Sequence, residues 1–360
     1  MPCKLAITSM SLGRCYAGHS FISKLDAAHK YGYQGIELFH EDLADLAEHL
    51  SRETPSPSGP SESAQIAAAR TILRMCKARG IEIVCLQPFS HYEGLLDRSE
   101  HDRRLEQLKF WIQLAHELNT DIIQIPASFL PAEQVTEDLE LIVSDLREVA
   151  DMGLRATPPI RFAYEGLCWS TRVDTWERCW EVVQRVDRPN FGMCLDTFNI
   201  AGRIYADPAV ASGRTQDADE AVRSSIARLI EHVDVTKVFY VQVVDAERLA
   251  KPLVPGHQFY NPEQPARMSW SRNCRLFYGE TDRGAYLPVK ELACAFFHGI
   301  GFEGWVSLEL FNRRMADEGS DVPEELARRG AVSWAKLVKD MKLAVDIPQS
   351  PPAVRIFASL

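Results

Sequence analysis

Four oxygen-bearing side chains, Glu165, Asp196, Gln242 and Glu309, stand at or near the ends of four successive apolar runs, IRFAYE, FGMCLD, KVFYVQVV and GWVSLEL. Side chains alternate along a strand, so Glu165 shares a face with Ala163, Asp196 with Cys194 and Gly192, and Glu309 with Ser307. Small companions of this kind suit a crowded interior; Gln242 keeps the bulkier Tyr240 and Val238. Three carboxylates gathered in a dry cleft repel one another unless a cation sits between them. Oxygen donors without Cys or His select a hard or borderline divalent ion, Mg²⁺ or Mn²⁺ first, with Co²⁺ or Zn²⁺ compatible. Any one of the four alone could cap a helix or pair with an arginine. All four together, on successive strands, point to a metal site.

The elements that must position them recur along the chain. Strands are predicted at Lys4–Thr8, Gly35–Phe39, Ile81–Leu86, Asp121–Pro126, Ile160–Glu165, Phe191–Asp196, Lys237–Val244 and Gly304–Leu310. Continuous apolar runs of this length suit strands buried on both faces of a parallel sheet. Helical patterns lie between them: Phe21–Tyr31 (with Ile22, Leu25, Ala28 and His29 on one face), Arg103–Leu118, Val135–Met152, Val173–Val186, Ala221–Val233, Tyr286–Gly299 and Glu324–Val345. Gly32, Gly80 and Gly153 read as helix stops. Eight βα units in 360 residues predict an α/β fold, a single-domain (β/α)8 TIM barrel over 1–345 with a tail at 346–360. A doubly wound sheet is the alternative.

Two segments break the rhythm. Residues 51–63 (SRETPSPSGPSES) read as a flexible insertion before the next helix. Residues 246–281 hold four prolines and five aromatics, and read as an ordered active-site loop over the barrel mouth. Gly299–Gly304 spells GxGxxG, but a helix precedes it and a strand follows, the reverse of the order a dinucleotide needs. It reads as a helix stop and turn.

With 46% hydrophobic and 25% charged residues the chain is globular, and at a net charge of −10 it is a poor candidate for nucleic-acid binding. No run is long enough to span a membrane. Nine cysteines with no CxxC pair suggest a reducing cytoplasmic setting. No pattern sets an oligomeric state.

The segments AYEG, CLDTFN, QVVDA and SLEL resemble the metal-binding strand ends of the xylose-isomerase-like TIM barrels. KLAITSMSLGR, YGYQGIELFHEDL, LQPFSHYEG and MSWSRNCRLFYGE resemble, more closely, the 3-dehydroshikimate dehydratase family of fungal quinate utilisation. The resemblance runs from residue 1 to about 345. It implies a divalent metal held by Glu165, Asp196, Gln242 and Glu309, with Gln242 where many members carry His. Where many members have a second His, three residues after the Asp, this chain has Asn199, which cannot act as a base but could touch substrate.

The implied reaction converts 3-dehydroshikimate, a small anion, to protocatechuate and water. The metal polarises a ketone and stabilises an enolate, a base takes the α-proton, and an acid protonates the departing hydroxyl. Base candidates are His91, after strand three, and Glu37 or His40, around the end of strand two, with a metal-site carboxylate such as Glu165 as a further choice. The resemblance favours Arg272 as the carboxylate clamp, with Ser271 beside it and Arg275 as reserve. Three other readings remain: a sugar or keto-acid isomerase or epimerase on the same barrel, a nuclease-type member, and a ligand-binding barrel without turnover. The chain lacks the His-rich cluster and basic groove of the nuclease.

Overall fold

The computed structural model describes residues 2–51 and 59–345. In chain order the elements are β1 (Lys4–Thr8), α1 (Phe21–Lys30), β2 (Gly35–Phe39), α2 (His40–Leu50), α3 (Glu62–Lys77), β3 (Glu82–Gln87), α4 (Arg98–Glu117), β4 (Ile122–Pro126), α5 (Leu139–Arg155), β5 (Arg161–Glu165), α6 (Trp176–Val186), β6 (Phe191–Asp196), α7 (Thr197–Ile204), α8 (Ala218–His232), β7 (Val238–Gln242), β8 (Asp245–Ala246), α9 (Ala266–Cys274), β9 (Arg275–Leu276), α10 (Val289–Cys294), β10 (Trp305–Leu308) and α11 (Val322–Met341). Eight strands close in the order β1-β10-β7-β6-β5-β4-β3-β2, every neighbouring pair parallel. The (β/α)8 expectation holds. The long loop is anchored by a two-stranded antiparallel ribbon, β8 with β9.

Alternation along the strands builds two apolar layers. Outward residues such as Ile36, Leu86, Ile125 and Leu195 pack beneath the helices. A smaller set, Ala6, Cys85, Ala163, Cys194 and Tyr240, flanked by Trp305, packs inside the barrel. Gly35 is required there: a Cβ would lie 2.6 Å from the Trp305 ring. Small residues low in the barrel thus leave room for one large aromatic, and the polar strand ends rise above them.

Several expectations need correction. Ile22 and His29 face solvent; α1 instead buries Phe21, Lys24, Leu25 and Ala28, with Lys24 neutralised by Asp42 at 2.5 Å. Gly153 lies inside the last turn of α5, where an added Cβ would meet the Phe162 ring at 2.5 Å, so close packing explains it. Gly32 and Gly80 do follow helices with positive φ. The 286–299 helix is α only over Val289–Cys294 and widens into a π turn over Ala295–Gly299. Residues 52–58 of the insertion and the whole 346–360 tail lie outside the described residues. Among the described residues no helix is long and apolar enough to cross a membrane, and every cysteine is a free thiol.

Candidate active site

The carboxyl ends of β5 and β6, with Glu309 just past β10, bring three carboxylates together. Glu165, Asp196 and Glu309 are all buried, with ligand oxygens within 4.8 Å of one another. Asp196 has a double role. It caps α7, accepting the Phe198 N–H at 2.8 Å on Oδ1, which turns Oδ2 toward the cluster. There Oδ2 accepts from Arg275 Nη1 at 2.9 Å and from Asn199 Nδ2 at 2.7 Å. Gln242 sits on the strand between, in register with Asp196 on one side and Ser307 on the other. Its amide points into the barrel, and its Oε1 is buried with no hydrogen-bond partner among the described residues.

The charges are heavily perturbed. Burial, then repulsion from Glu309 and Asp196, pushes Glu165 well above the usual carboxylate range. Burial raises Glu309 to about 8 against the opposing pull of Arg275. Burial also raises Asp196 above its ordinary range, with Arg275 again opposing. Arg275 is fully buried, clamped between the Phe198 and Phe311 rings with its carbon 4.2 and 4.9 Å from their centroids. It meets Asp196 and Glu309 (3.0 Å) through a single nitrogen, and its other terminal nitrogen has no partner among the described residues. One guanidinium against three carboxylates leaves a deficit of positive charge. Three acids and an orphaned amide oxygen make a donor set that fits a divalent ion.

Above the cluster opens a cavity of about 500 Å³. Glu165, Glu309, Gln87 and Gln124 contribute to its lining; Phe39, Phe129, Trp169 and Phe311 supply aromatic surface; Arg14, Ser271, Arg272 and Arg275 supply donors. Arg14 is committed to Glu41 at 2.6 Å. Arg272 is exposed and has no acidic partner among the described residues; partial burial and the nearby Arg14 charge lower its pKa. Ser271 Oγ accepts from Arg275 Nε at 3.0 Å, tying α9 to the site.

Other predicted site residues are placed differently. Glu37 is fully buried below the cluster, accepting from Thr8 Oγ1 (3.1 Å), Gln87 Nε2 (2.8 Å) and Gln242 Nε2 (3.0 Å), and does not line the cavity. His40 stacks on Trp111, ring centroids 4.8 Å apart, and contacts Gln65; it is part of helix packing. His91 lines a neighbouring depression with Arg104, its ring edge-on to Phe129 at 4.3 Å. Burial, Arg104 and Arg272 push it down to about 4. Asn199 is spent on protein groups: Nδ2 donates to Glu165 (2.8 Å) and Asp196, and Oδ1 accepts the Cys168 N–H at 3.1 Å. It braces two acids and does not reach the cavity wall. Sequence reading passed over Gln87 and Gln124. Gln87 closes β3, the same signal that flagged Glu165, whereas Gln124 lies mid-strand in β4, where its Nε2 donates to Glu165 Oε2.

Fold and site together define a class. The sequence pattern of the xylose isomerase-like TIM barrel family matches residues 25–337, and the chain belongs to that family. Over 348 residues it is 76% identical to the 3-dehydroshikimate dehydratase of Neurospora crassa, covering 97% of each chain. It is 30% identical over 292 residues to the 3-dehydroshikimate dehydratase of Pseudomonas aeruginosa, covering 80% of this chain and 36% of that longer protein. A solved xylose isomerase-like TIM barrel/4-hydroxyphenylpyruvate dioxygenase fusion protein shares the fold with a TM-score of 0.69 and 24% identity, over 95% of this chain and 44% of that one.

Proposed function

We propose that the chain catalyses the dehydration of 3-dehydroshikimate to protocatechuate in quinate or shikimate catabolism, in the cytoplasm, using a bound Mg²⁺ or Mn²⁺ ion. The observation that carries this reading is the 76% identity over 97% of both chains to the Neurospora dehydratase. The cavity supports it with a cluster of acids at the floor, aromatic walls and a free guanidinium at the mouth.

Glu165, Asp196, Gln242 and Glu309 would hold the ion, whose Lewis acidity acidifies the carbon next to a ketone. Arg275 and Asn199 fix the carboxylates by charge-assisted hydrogen bonds, so the donor set is in place before substrate arrives. Arg272 takes the substrate carboxylate through its planar fork. Phe39, Phe129, Trp169 and Phe311 displace water from around the ring, which strengthens the polar contacts. Glu37 does not line the cavity and His91 stands in the adjoining depression, whereas Glu165 and Glu309 face the cavity, so the α-proton is assigned to one of these two, Glu165 first.

Protein incubated with 3-dehydroshikimate and Mg²⁺ or Mn²⁺ should produce the near-ultraviolet absorbance of protocatechuate, and chelator-treated protein should not. Absence of product with every divalent ion refutes the reaction. Undiminished product after chelation refutes the metal.

A further inference from the structure

An amide side chain has one end that donates and one that accepts, and only its surroundings decide which faces a metal. For Gln242 that decision falls to a buried carboxylate. Gln242 Nε2 lies 3.1 and 3.0 Å from Glu37 Oε1 and Oε2, spanning both oxygens. The other groups around Glu37 can all donate to it: Thr8 Oγ1 at 3.1 Å, Gln87 Nε2 at 2.8 Å, more weakly Cys85 Sγ at 3.7 Å, and the hydroxyls of Ser307 and Tyr240. A carboxylate surrounded by donors acts as an acceptor, so it holds the NH₂ end of Gln242. The carbonyl end is then turned away from Glu37, and this oxygen is the one found buried and unpartnered. Flipping the amide would set its carbonyl oxygen against the Glu37 carboxylate.

We propose that Glu37 is the positioning residue that makes Gln242 a metal ligand, by pinning its amide so that Oε1 faces the site of Glu165, Asp196 and Glu309. This rests on the metal reading above and deepens it. It also gives Glu37 a role other than that of base. A His ligand in this position is commonly oriented by a partner on its second nitrogen; the Glu37–Gln242 pair does the same for an amide. Gln87 gives a lesser branch, sharing its Nε2 between Glu37 and Glu309 at 3.4 Å.

The test is Mn²⁺ affinity by calorimetric titration of full-length wild type, Glu37→Gln, Gln242→Ala and the double variant, with circular dichroism to establish folding. Glu37→Gln keeps the volume but offers Gln242 an amide that can pair with it in either sense. Loss of an orienting partner typically costs 10–100-fold in metal affinity, and that loss is expected here. In the Gln242→Ala background the same change should cost less than about threefold, the remainder passing through Gln87. Should Glu37→Gln not fold, Glu37→Asp, which draws the acceptor back by one methylene, should weaken Mn²⁺ several-fold, again only when Gln242 is present. Unchanged affinity in Glu37→Gln, or equal losses in both backgrounds, overturns the proposal while the metal site stands. Wild-type protein that binds neither Mn²⁺ nor Mg²⁺, Co²⁺ or Zn²⁺ overturns the metal reading and this proposal with it.

Discussion

Removing the Arg272 side chain separates recognition from stability. The guanidinium has no acidic partner among the described residues, and its electrostatic neighbour is another cation, Arg14. Arg272→Ala therefore deletes no internal ion pair, and its unfolding free energy should stay within about 0.5 kcal/mol of wild type, as for an ordinary surface change. The substrate loses more. A bidentate fork makes two hydrogen bonds to a carboxylate, each worth about 1.5 kcal/mol at the lower end for charged groups, or about 3 kcal/mol together. At 1.36 kcal/mol per tenfold, kcat/KM should fall by about two orders of magnitude. Initial rates of protocatechuate formation across a substrate series, beside a urea unfolding curve, measure both quantities. The loss should fall chiefly on KM, because the carboxylate is bound alike in ground and transition states. A kcat/KM within threefold of wild type would show that Arg272 does not hold the substrate. A large loss of stability would show that it is an internal partner after all.

The neighbouring arginine should behave oppositely. Arg275→Met strands two buried carboxylates and should cost about 3–5 kcal/mol in chelator-treated protein, partly recovered with Mn²⁺; an unchanged urea midpoint would contradict the clamp. Glu93 accepts from the Ser128 N–H (2.7 Å) and Tyr164 OH (3.0 Å) on one oxygen while the other is buried and unpartnered, and burial lifts its pKa from 4.5 to about 7. The folded protein thus keeps a proton that the unfolded chain releases, so stability should fall as pH rises from about 4.5 to 7, by about 3 kcal/mol at 1.36 per unit. Glu93→Gln should lose that slope, and matching urea midpoints for the two proteins across this window would refute it. His91→Ala should keep kcat within tenfold, since the ring lies outside the cavity wall; a drop of the 10²–10⁴ expected on removing a general base would return it to the mechanism.

What the sequence revealed depended on whether the cause was local. Strands β1, β2 and β6 fall where the apolar runs begin and end, because burial on both faces leaves an unbroken signature. The strand-end acids were legible for the same reason: a charge closing an apolar run is conspicuous. Helices α7 and α9 were not, since short helices packed over the barrel mouth are too buried to show a polar face. Gln87 and Gln124 escaped because an amide takes its role from its partners, and those come from β2, β5 and Glu309. His91 looked poised beside Tyr92 and Glu93, but its left-handed backbone (φ 58°) places its ring against Phe129, which residue type does not reveal. Asn199 was found by position, three residues past Asp196. Its bracing role came only from the turn of helix that folds it back onto the acid.

The clamp on Arg275 also bears on time. Arg272 and Arg275 are three residues apart, one free and one wedged between two rings and two carboxylates. The wedged residue holds the stretch carrying the free one in place in the resting protein, so capture of the anion spends little conformational entropy on ordering it. On the proposed role of Arg272, the receptor for the anion is set in advance, and encounter with the substrate, more than rearrangement of this segment, should govern how quickly it is caught.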